Sequence, residues 1–493
     1  MELSNDNFLA TTRSTMVAFV SRYPLFSTLL VLLFWLPLPL GSNRGWSSSL
    51  FEAVVFCLFA IWILGYLKGR YKTSVAFVRA RPVIYLLSCV CVWPIFQMIP
   101  LSASVLELLS PNALIHYQAV SGLSANAAYS VSLDPYASWE RFLLNLSLLS
   151  LFMLVLLTTR TRQHLYFLLY TMVLAGLCQA IWGSLKLLFV EDVHYATGTF
   201  VNRNHLAGFF ELTLAAGTGL LLAITSHRHS RSWRQALVYW ISLIFSKKLR
   251  LRLYLMIIVI GLILTHSRMG NFAFFTSLTF AALIFMLTTK NQQYAHKSWW
   301  RAIAPALFLL SSLVVIDFLI VGNWLGVDQV VDNIQKTQVE TESRSLLFSD
   351  ALSLTKEFWL SGIGAGAFSS VFPVYQSRPY FEVYDHVHND FLEIAMEYGL
   401  PVFVLFSAAI VWCFLSAVKA LFINESQFHR GVAFACVMGI SALLLHGLVD
   451  FNFHIPVNAA YISVLLALTQ VAGHRKSLSM QGSGNDDNGG GPI

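Results

Sequence analysis

Long apolar stretches separated by polar connections recur along almost the whole chain, and they restrict what it can fold into. A membrane-spanning helix needs about 20 mostly apolar residues, and about twelve stretches of this sequence qualify. Of the 493 residues, 56% are hydrophobic and 12% are charged, and the mean hydropathy is +0.64. Soluble globular proteins carry roughly 25% charged residues, so most of this chain is expected to lie in lipid. The stretches centre near residues 26–40, 48–67, 82–100, 140–158, 165–189, 205–225, 252–266, 271–289, 302–322, 400–418, 431–449 and 454–473.

Basic residues orient these spans, because connections on the cytoplasmic side of a membrane are enriched in Lys and Arg. Alternate connections, counted from the N-terminus, hold 23 of the 32 Lys and Arg residues, whereas the long loop 323–399 holds four. We therefore expect both termini in the cytoplasm and the loop on the opposite face, which in the inner membrane of a bacterium is the periplasm. A net charge of +7 then reflects orientation, and no nucleic-acid partner is predicted.

The predicted fold class is an all-α polytopic membrane protein with about twelve transmembrane helices and one large, partly helical periplasmic loop. Residues 1–322 would hold transmembrane helices 1–9, and residues 323–399 would form the periplasmic loop. Residues 400–473 would hold transmembrane helices 10–12, and residues 474–493 a disordered cytoplasmic tail. The seventh and eighth stretches are the weakest, and they could form one helical hairpin bent at Thr265–Asn271.

The loop 323–399 is too long for a simple connection, and loops of this length are usually functional or disordered. Its segment "TESRSLLFSDALSLTKEFW" predicts a helix that Thr341 could cap, because apolar residues recur at helical spacing: Leu347, Ala351, Leu354 and Phe358. The following "GIGAGAF", Gly362–Phe368, resembles a nucleotide-binding glycine loop, but it follows a helix and not a strand. It therefore predicts a tight turn.

The end of the loop concentrates ionisable residues in "DHVHNDFLEIAMEYGLP", Asp385–Pro401. A helix from about Asn389 to Tyr398 is predicted, and the partial positive charge at its start favours a neutral imidazole that can accept a proton. One interpretation makes His388 and Asn389 a working pair, with His386 in support. The other makes Asn389 a helix cap beside solvated histidines.

A metal site is the third interpretation of this stretch, because His386, His388 and Asp390 alternate. No third histidine or further carboxylate pair is evident nearby, which disfavours a metal site. The prediction is therefore that the protein holds no metal and no other cofactor.

Three further polar groups fall near the same face. Arg268, in "HSR", lies at the break between two spans, where an arginine either has a function or extends to the interface. Arg344 lies in the loop helix, where a solvated position is the ordinary alternative. The segment "GTFVNRNHLAGFFEL", Gly198–Leu212, places Asn202, Asn204 and His205 at the entry of a span, where the amides could bind sugar hydroxyls or cap the helix.

Two further polar features lie within a span or between two spans. Glu211 is a carboxylate inside the span, where it needs a partner. The segment "HGLVDFNFHIP", His446–Pro456, is a polar insertion between the last two spans.

Transfer of a sugar from a lipid diphosphate would use these groups together. An acceptor hydroxyl would attack the anomeric carbon, a general base would take its proton, and positive charge would stabilise the departing diphosphate. Many such enzymes hold a divalent metal with acidic residues, but the chain has no D-x-D motif. Arg268 and Arg344 could bind the diphosphate instead, through bidentate contacts.

Several motifs make the sequence similar to the O-antigen ligase-related family of bacterial membrane glycosyltransferases. They are "LPLPLGSNRGWS" (Leu36–Ser47), "TFVNRNHLAGF" (Thr199–Phe209), "LTHSRMGNF" (Leu264–Phe272), the segment from "SRSLLFSDALSL" to "GIGAGAF" (Ser343–Phe368), and "HVHNDFLEIAMEYGLP" (His386–Pro401). The family includes O-antigen ligases, O-antigen polymerases and protein O-oligosaccharyltransferases, and the resemblance covers most of residues 190–460.

The resemblance implies about twelve helices, a large periplasmic loop with catalytic residues, and an undecaprenyl-diphosphate-linked glycan as donor. It also implies metal-independent chemistry with inversion at the anomeric carbon. The family's essential histidine corresponds to His388, followed by Asn389, and its two essential arginines correspond to Arg268 and Arg344.

The sequence therefore predicts an inner-membrane glycosyltransferase with His388 as general base and with Arg268 and Arg344 on the donor diphosphate. Substrate-binding residues would be Asn389, His386, Asn202, Asn204 and His205. The acceptor could be lipid A–core, a second lipid-linked glycan or a protein hydroxyl, with ligase or polymerase preferred over protein transfer. A flippase or transporter of lipid-linked glycans is the alternative from another class, but it predicts charged residues along a central path at mid-membrane.

Overall fold

The computed structural model describes residues 18–120, 129–224, 247–288, 346–377 and 384–473, and these residues fold mainly into helices. The helices are α1 (Pro24–Trp35), α2 (Gly45–Leu67), α3 (Val75–Arg79), α4 (Arg81–Met98), α5 (Ala103–Leu109), α6 (Pro111–Val120), α7 (Pro135–Thr158), α8 (Arg162–Phe189), α9 (Arg203–Ile224), α10 (Lys247–Leu264), α11 (Arg268–Leu287), α12 (346–357), α13 (Phe368–Val371), α14 (Asp390–Tyr398), α15 (Leu400–Ile423), α16 (Gln427–His446) and α17 (Pro456–Ala472).

Eight of these helices are long and apolar enough to cross a membrane, namely α2, α4, α7, α8, α9, α11, α15 and α16. Helices α1 and α17 are apolar but shorter, with 12 and 17 residues. The predicted span 252–266 lies in α10, whose first turns are basic, and the predicted span 302–322 lies outside the described residues. The all-helical, multi-pass membrane architecture is confirmed, whereas the number of twelve spans stays a prediction.

The connections between helices gather at two ends of the bundle, as an alternating topology requires. At one end, the Thr199 hydroxyl donates to the Pro37 carbonyl over 2.6 Å, and the Ala196 N–H donates to the Leu264 carbonyl over 2.7 Å. At the other end, the Asn424 amide donates to the Ala472 carbonyl over 2.6 Å. The first end contains the described parts of the long loop and, among the described residues, the polar motifs around 198–212, 265–271, 384–399 and 446–456.

Helices α9, α16 and α17 form the centre of the bundle, and most of their residues are buried. Helix α9 crosses α16 at Gly219 and Gly431, where a Cβ atom on Gly219 would lie 2.4 Å from the Gly431 carbonyl oxygen. Small residues allow helix backbones to approach this closely in membranes, where packing and not hydrophobicity drives association. The central helices therefore hold their ends, and the polar groups on them, in a fixed relation.

The described part of the long loop packs onto this end as a small separate core. Helix α12 buries the four residues whose spacing predicted it: Leu347, Ala351, Leu354 and Phe358. The proposed cap, Thr341, lies outside the described residues. The break between α10 and α11 falls at residues 265–267, inside the segment predicted for the bend.

The glycine-rich segment after α12 is a tight turn, as expected. Gly362, Gly364 and Gly366 have φ values of +72°, +111° and +76°, in the region that favours glycine. A Cβ atom on Gly362 would lie 2.2 Å from the Glu397 carbonyl oxygen, so the turn packs directly on the end of α14. Its glycines serve this close approach.

Candidate active site

Nine ionisable side chains and one phenyl ring lie together where α9, α14, α16 and the 447–455 connection meet. The group comes from three distant parts of the chain, and hydrogen bonds, charge contacts within 4 Å or ring contacts join its members: His205, Glu211, His386, His388, Asp390, Glu393, His446, Asp450, Phe451 and His454. We call this group the histidine–carboxylate cluster. The polar insertion at His446–Pro456 therefore supplies four of the ten residues.

His388 faces Asp450 within the cluster. The imidazole Nδ1 lies 3.5 Å from Asp450 Oδ1, and the side chains are 23% and 1% exposed, respectively. With a hydrogen on Nδ1 towards the carboxylate, Nε2 keeps the lone pair that a general base needs. The backbone of His388 has a φ of +56°, an uncommon conformation for a residue with a side chain, and such strained residues concentrate at functional sites.

Asp450 is shared by three imidazoles. His205 Nε2 lies 3.6 Å from Oδ1, and His446 Nε2 lies 3.9 Å from Oδ2. Burial alone would raise the pKa of Asp450, but His205 and His388 hold it well below its ordinary value of 3.8. All three distances exceed the normal N–H···O range of about 2.7–3.2 Å. Catalytic hydrogen bonds are often long without substrate and shorten when it binds.

Phe451 separates the histidines of the cluster. Its ring stacks on His386 with centroids 4.1 Å apart, and the rings of His388 and His205 approach it edge-on at 4.9 Å and 4.5 Å. Three imidazoles that contact one phenyl ring are held at fixed mutual positions without sharing a proton directly. Phe451 therefore divides the cluster into an Asp450 side and a Glu393 side.

On the second side, Glu393 pairs with His386. Glu393 Oε1 lies 2.6 Å from His386 Nδ1, and Oε2 accepts the Val387 N–H over 2.9 Å. Burial would raise the pKa of Glu393, but the charge and hydrogen bond of His386, with the Val387 N–H, hold it below its ordinary value of 4.5. Burial acts to lower the pKa of His386, but Glu393 outweighs it and raises the pKa above 6.5. The two residues form an ion pair in which Glu393 is buried and His386 is partly exposed.

His454 bridges Asp390 and Glu393, two of the three acids of α14. Its Nδ1 lies 3.0 Å from Asp390 Oδ1, and its Nε2 lies 3.3 Å from Glu393 Oε1. Burial lowers the pKa of His454 to about 3, so this imidazole is neutral at physiological pH. Burial also raises the pKa of Asp390 well above 3.8, although the Phe453 N–H partly offsets the effect.

A second pair lies deeper, inside the membrane-spanning helices. His446 Nδ1, at the end of α16, lies 2.6 Å from Glu211 Oε1 on α9. This contact supplies the partner that an intramembrane carboxylate requires.

The predicted histidines and the predicted asparagines take different places in the structure. His386, His388 and His205 meet in the cluster. Asn389 caps α14, because its Oδ1 accepts the Leu392 N–H over 2.9 Å, and its Nδ2 donates to the Leu448 carbonyl over 2.8 Å. Asn202 likewise accepts the Asn204 N–H over 2.8 Å at the start of α9. The capping interpretation thus describes both Asn389 and Asn202, and their role in binding substrate stays a prediction, as does that of Asn204.

Of the two predicted arginines, the structure describes only Arg268. Arg268 is exposed at the first position of α11, and Gly270, two residues on, packs against Ala207 of α9. Arg268 therefore lies at the same end of the bundle as His205. Arg344 lies outside the described residues.

The alternating metal ligands proposed from sequence are not brought to one point. His386 turns to Glu393, His388 to Asp450, and Asp390 to the Phe453 N–H and His454. Within the described residues, His386, Glu393 and His454 could hold an ion by position, since their ligand atoms lie within 4.8 Å of one another. In the structure, His386 hydrogen-bonds Glu393 and His454 hydrogen-bonds Asp390.

Sequence reasoning missed Asp450, Phe451 and His454 as members of the site. The signal that could have identified them is the density of polar residues in the short insertion before α17, because a simple turn does not need so many. It also missed Arg141 of α7, which acts on the pKa of Glu397, His386 and His454. Burial raises the pKa of Glu397 to about 7, and Arg141 opposes that rise.

No curated protein matches the chain. The family model described as O-antigen ligase matches residues 253–407, which contain Arg268, the long loop, His386, His388 and Glu393. The match confirms, over this segment, the resemblance to the O-antigen ligase-related family that the sequence motifs indicated.

Proposed function

We propose that this protein moves a glycan from an undecaprenyl-diphosphate donor to an acceptor hydroxyl at the periplasmic face of a bacterial inner membrane. The match to the O-antigen ligase family supports membrane glycan transfer in general. The proposal adds the donor, the inner membrane, the periplasmic side and a ligase or polymerase type. These additions rest on the charge distribution of the connections and on the family motifs.

The observation that carries the proposal is the pairing of His388 with Asp450. A partly exposed imidazole backed by a buried carboxylate is the arrangement of the general base in acyl transfer, and removal of a proton from an acceptor hydroxyl needs the same base. Here the pair lies at the end of the bundle where α9, α14 and α16 meet, and apart from His386 the other members of the cluster are buried behind it. A φ of +56° is unfavourable for a residue with a side chain, so a histidine that was simply solvated would not be expected to adopt it.

In the proposed reaction, Nε2 of His388 takes the proton of the acceptor hydroxyl as its oxygen attacks the anomeric carbon. The bond from that carbon to the diphosphate oxygen breaks, and the configuration inverts. Asp450 stabilises the imidazolium that forms, and Arg268 and Arg344 stabilise the departing diphosphate by charge-assisted hydrogen bonds. No metal is assigned a role in these steps.

The decisive experiment compares the wild type with His388→Ala, using purified protein, lipid-linked donor, and lipid A–core, lipid-linked glycan and protein as separate acceptors. The expected result is transfer to one acceptor by the wild type and a loss of about 10²–10⁴-fold in kcat for the variant. His116→Ala is the matched control, because His116 lies at the same end but contacts Tyr375 and not the cluster. Unchanged transfer by His388→Ala would remove His388 as the base, and flipping of the donor without transfer would overturn the enzyme assignment.

A further inference from the structure

A cleft of about 510 Å³ opens at the polar end of the bundle, on the Glu393 side of Phe451. Its walls come from the 42–52 segment at the start of α2, the first turns of α7 and the glycine turn. His386 and His454 form part of its lining. The volume falls within the range of about 300–1,000 Å³ that small-molecule sites occupy. The cleft therefore leads from the surface to the histidine–carboxylate cluster.

The side chains of the cleft combine exposed aromatic rings with charges of both signs. Tyr136 and Trp139 are 73% and 49% exposed, although contact between an aromatic ring and water is unfavourable. The charged groups are Glu52, Glu140, Arg44 and Arg141. Their formal charges cancel, so a polyanion such as a bare diphosphate would be repelled by the acids as well as attracted by the arginines.

A sugar has the chemistry that such a lining would bind. Its hydroxyls both donate and accept hydrogen bonds, so carboxylates and guanidinium groups can each take one role. The C–H face of a pyranose is apolar and covers an aromatic ring. One Glu52 oxygen already accepts the Ser48 hydroxyl over 3.1 Å, which fixes that carboxylate at the wall of the cleft.

We propose that this cleft is a carbohydrate subsite, which holds a sugar residue of one of the two glycan substrates next to the reacting hydroxyl. The proposal rests on the proposed function and deepens it, because it assigns the sugar to the side of the cluster opposite the His388–Asp450 pair. The donor diphosphate would contact Arg268 and Arg344, and the cleft would contact only carbohydrate. Two substrates could then reach the cluster from two directions, as a transfer reaction requires.

The alternative explanation for the exposed rings is an aromatic belt at the membrane surface, where Trp and Tyr are enriched. Trp46 provides the matched control for it. Trp46 is 64% exposed in the same region of the chain as the 42–52 wall, but it does not line the cleft. A belt would use Trp46 and Trp139 alike, whereas a carbohydrate subsite uses Trp139 alone.

Binding is measured first, without any turnover, by saturation-transfer NMR on the purified full chain. The probe is the mixture of oligosaccharides that mild acid releases from the surface polysaccharide of the host bacterium, free of lipid and diphosphate. We expect signals with the wild type, Trp46→Ala and Trp139→Phe, and signals at least about fivefold weaker with Trp139→Ala and Glu140→Gln. No signal with the wild type, or equal signals with Trp139→Ala and Trp46→Ala, would overturn the subsite.

Kinetics then identify the source of the sugar. If Trp139→Ala raises KM for the acceptor about fivefold or more with little change for the donor, the cleft binds the acceptor glycan. The reverse pattern assigns the cleft to the donor glycan, and unchanged KM values for both substrates overturn the subsite. A protein that binds the oligosaccharides through Trp139 but transfers none would refute the proposed function and leave the subsite intact, so the two failures are distinguishable.

Discussion

Nδ1 of His446 and Oε1 of Glu211 lie 2.6 Å apart, and both side chains are almost completely buried between α16 and α9. Such a contact joins two central helices where water does not reach. A carboxylate left alone in that position would be more costly than the pair.

This contact predicts that Glu211→Leu lowers the free energy of unfolding by about 3–5 kcal/mol, because it leaves His446 buried without its partner. The double variant Glu211→Leu/His446→Phe should recover most of that loss, since neither polar group remains. Denaturation by titrated SDS measures both values. A single variant as stable as the wild type would show that the pair contributes nothing to the fold.

Asp450 should act through His388, so their substitutions should not add. We expect Asp450→Asn to lower kcat by about 10²-fold or more with little change in KM for the donor, because the imidazolium loses its carboxylate. The double variant with His388→Ala should be no slower than His388→Ala alone. Additive losses in transfer assays would mean that Asp450 acts independently, for example by holding His205.

The proposed binding of a diphosphate by Arg268 predicts a strong difference between Arg and Lys at this position. Arg268→Lys keeps the charge but loses the planar fork, so kcat/KM for the donor should fall by roughly 10–100-fold. Arg203→Lys serves as the control. Arg203 lies between Asn202 and Asn204 in the sequence, but its guanidinium carbon lies over the Tyr195 ring, 4.6 Å from the ring centroid. Equal effects of the two substitutions on donor kinetics would count against a diphosphate contact at Arg268.

The Glu393–His386 pair predicts a pH window for its contribution to stability. The pKa of Glu393 is depressed in the folded state, so its stabilisation is present above pH 4.5 and is lost as the pH falls through the folded value. The pKa of His386 is raised, so its stabilisation is present below pH 6.5 and is lost as the pH rises through the folded value.

The thermal midpoint of the wild type should therefore exceed that of Glu393→Gln by the largest margin between pH 4.5 and pH 6.5. Scanning fluorimetry from pH 4 to pH 9, with both proteins in one detergent, measures the difference. His116→Ala reports the pH dependence of a histidine outside the cluster. A difference that does not change with pH would contradict the ion pair.

The proposed metal-independent reaction predicts that a chelator leaves kcat unchanged. EDTA at a concentration far above that of contaminating cations, followed by gel filtration, should give the same transfer rate as untreated protein. Activity that is lost and then restored by one cation would contradict the prediction. His386, Glu393 and His454 would then be the first ligands to replace, because their ligand atoms lie within 4.8 Å of one another.

Local patterns in the sequence predicted much of the fold correctly, because each depends on neighbouring residues alone. Apolar length identified the eight helices that are long enough to span. Helical spacing identified the buried face of α12, and Asn389 and Gly399 marked the two ends of α14. These features need no knowledge of the rest of the chain.

The composition of the site was harder to predict, because its pairs join residues that are far apart in sequence. Glu211 clearly needed a partner, but nothing local indicated His446, 235 positions away. His388 was identified from its own helix, whereas Asp450 was noted only as part of a polar insertion. Phe451 carries no chemical signal in the sequence, and its role in spacing the histidines appears only in three dimensions.

The division of the cluster among three chain segments has a consequence for protein engineering. The family match ends at residue 407, so it includes His388 and Glu393 but neither Asp450 nor His454. A chimera that exchanges residues 253–407 between two relatives would inherit His388, the proposed base, from one parent and Asp450 from the other. Functional exchange therefore requires grafting residues 198–212 and 446–456 together with the loop, as one spatial module that the linear order of the chain conceals.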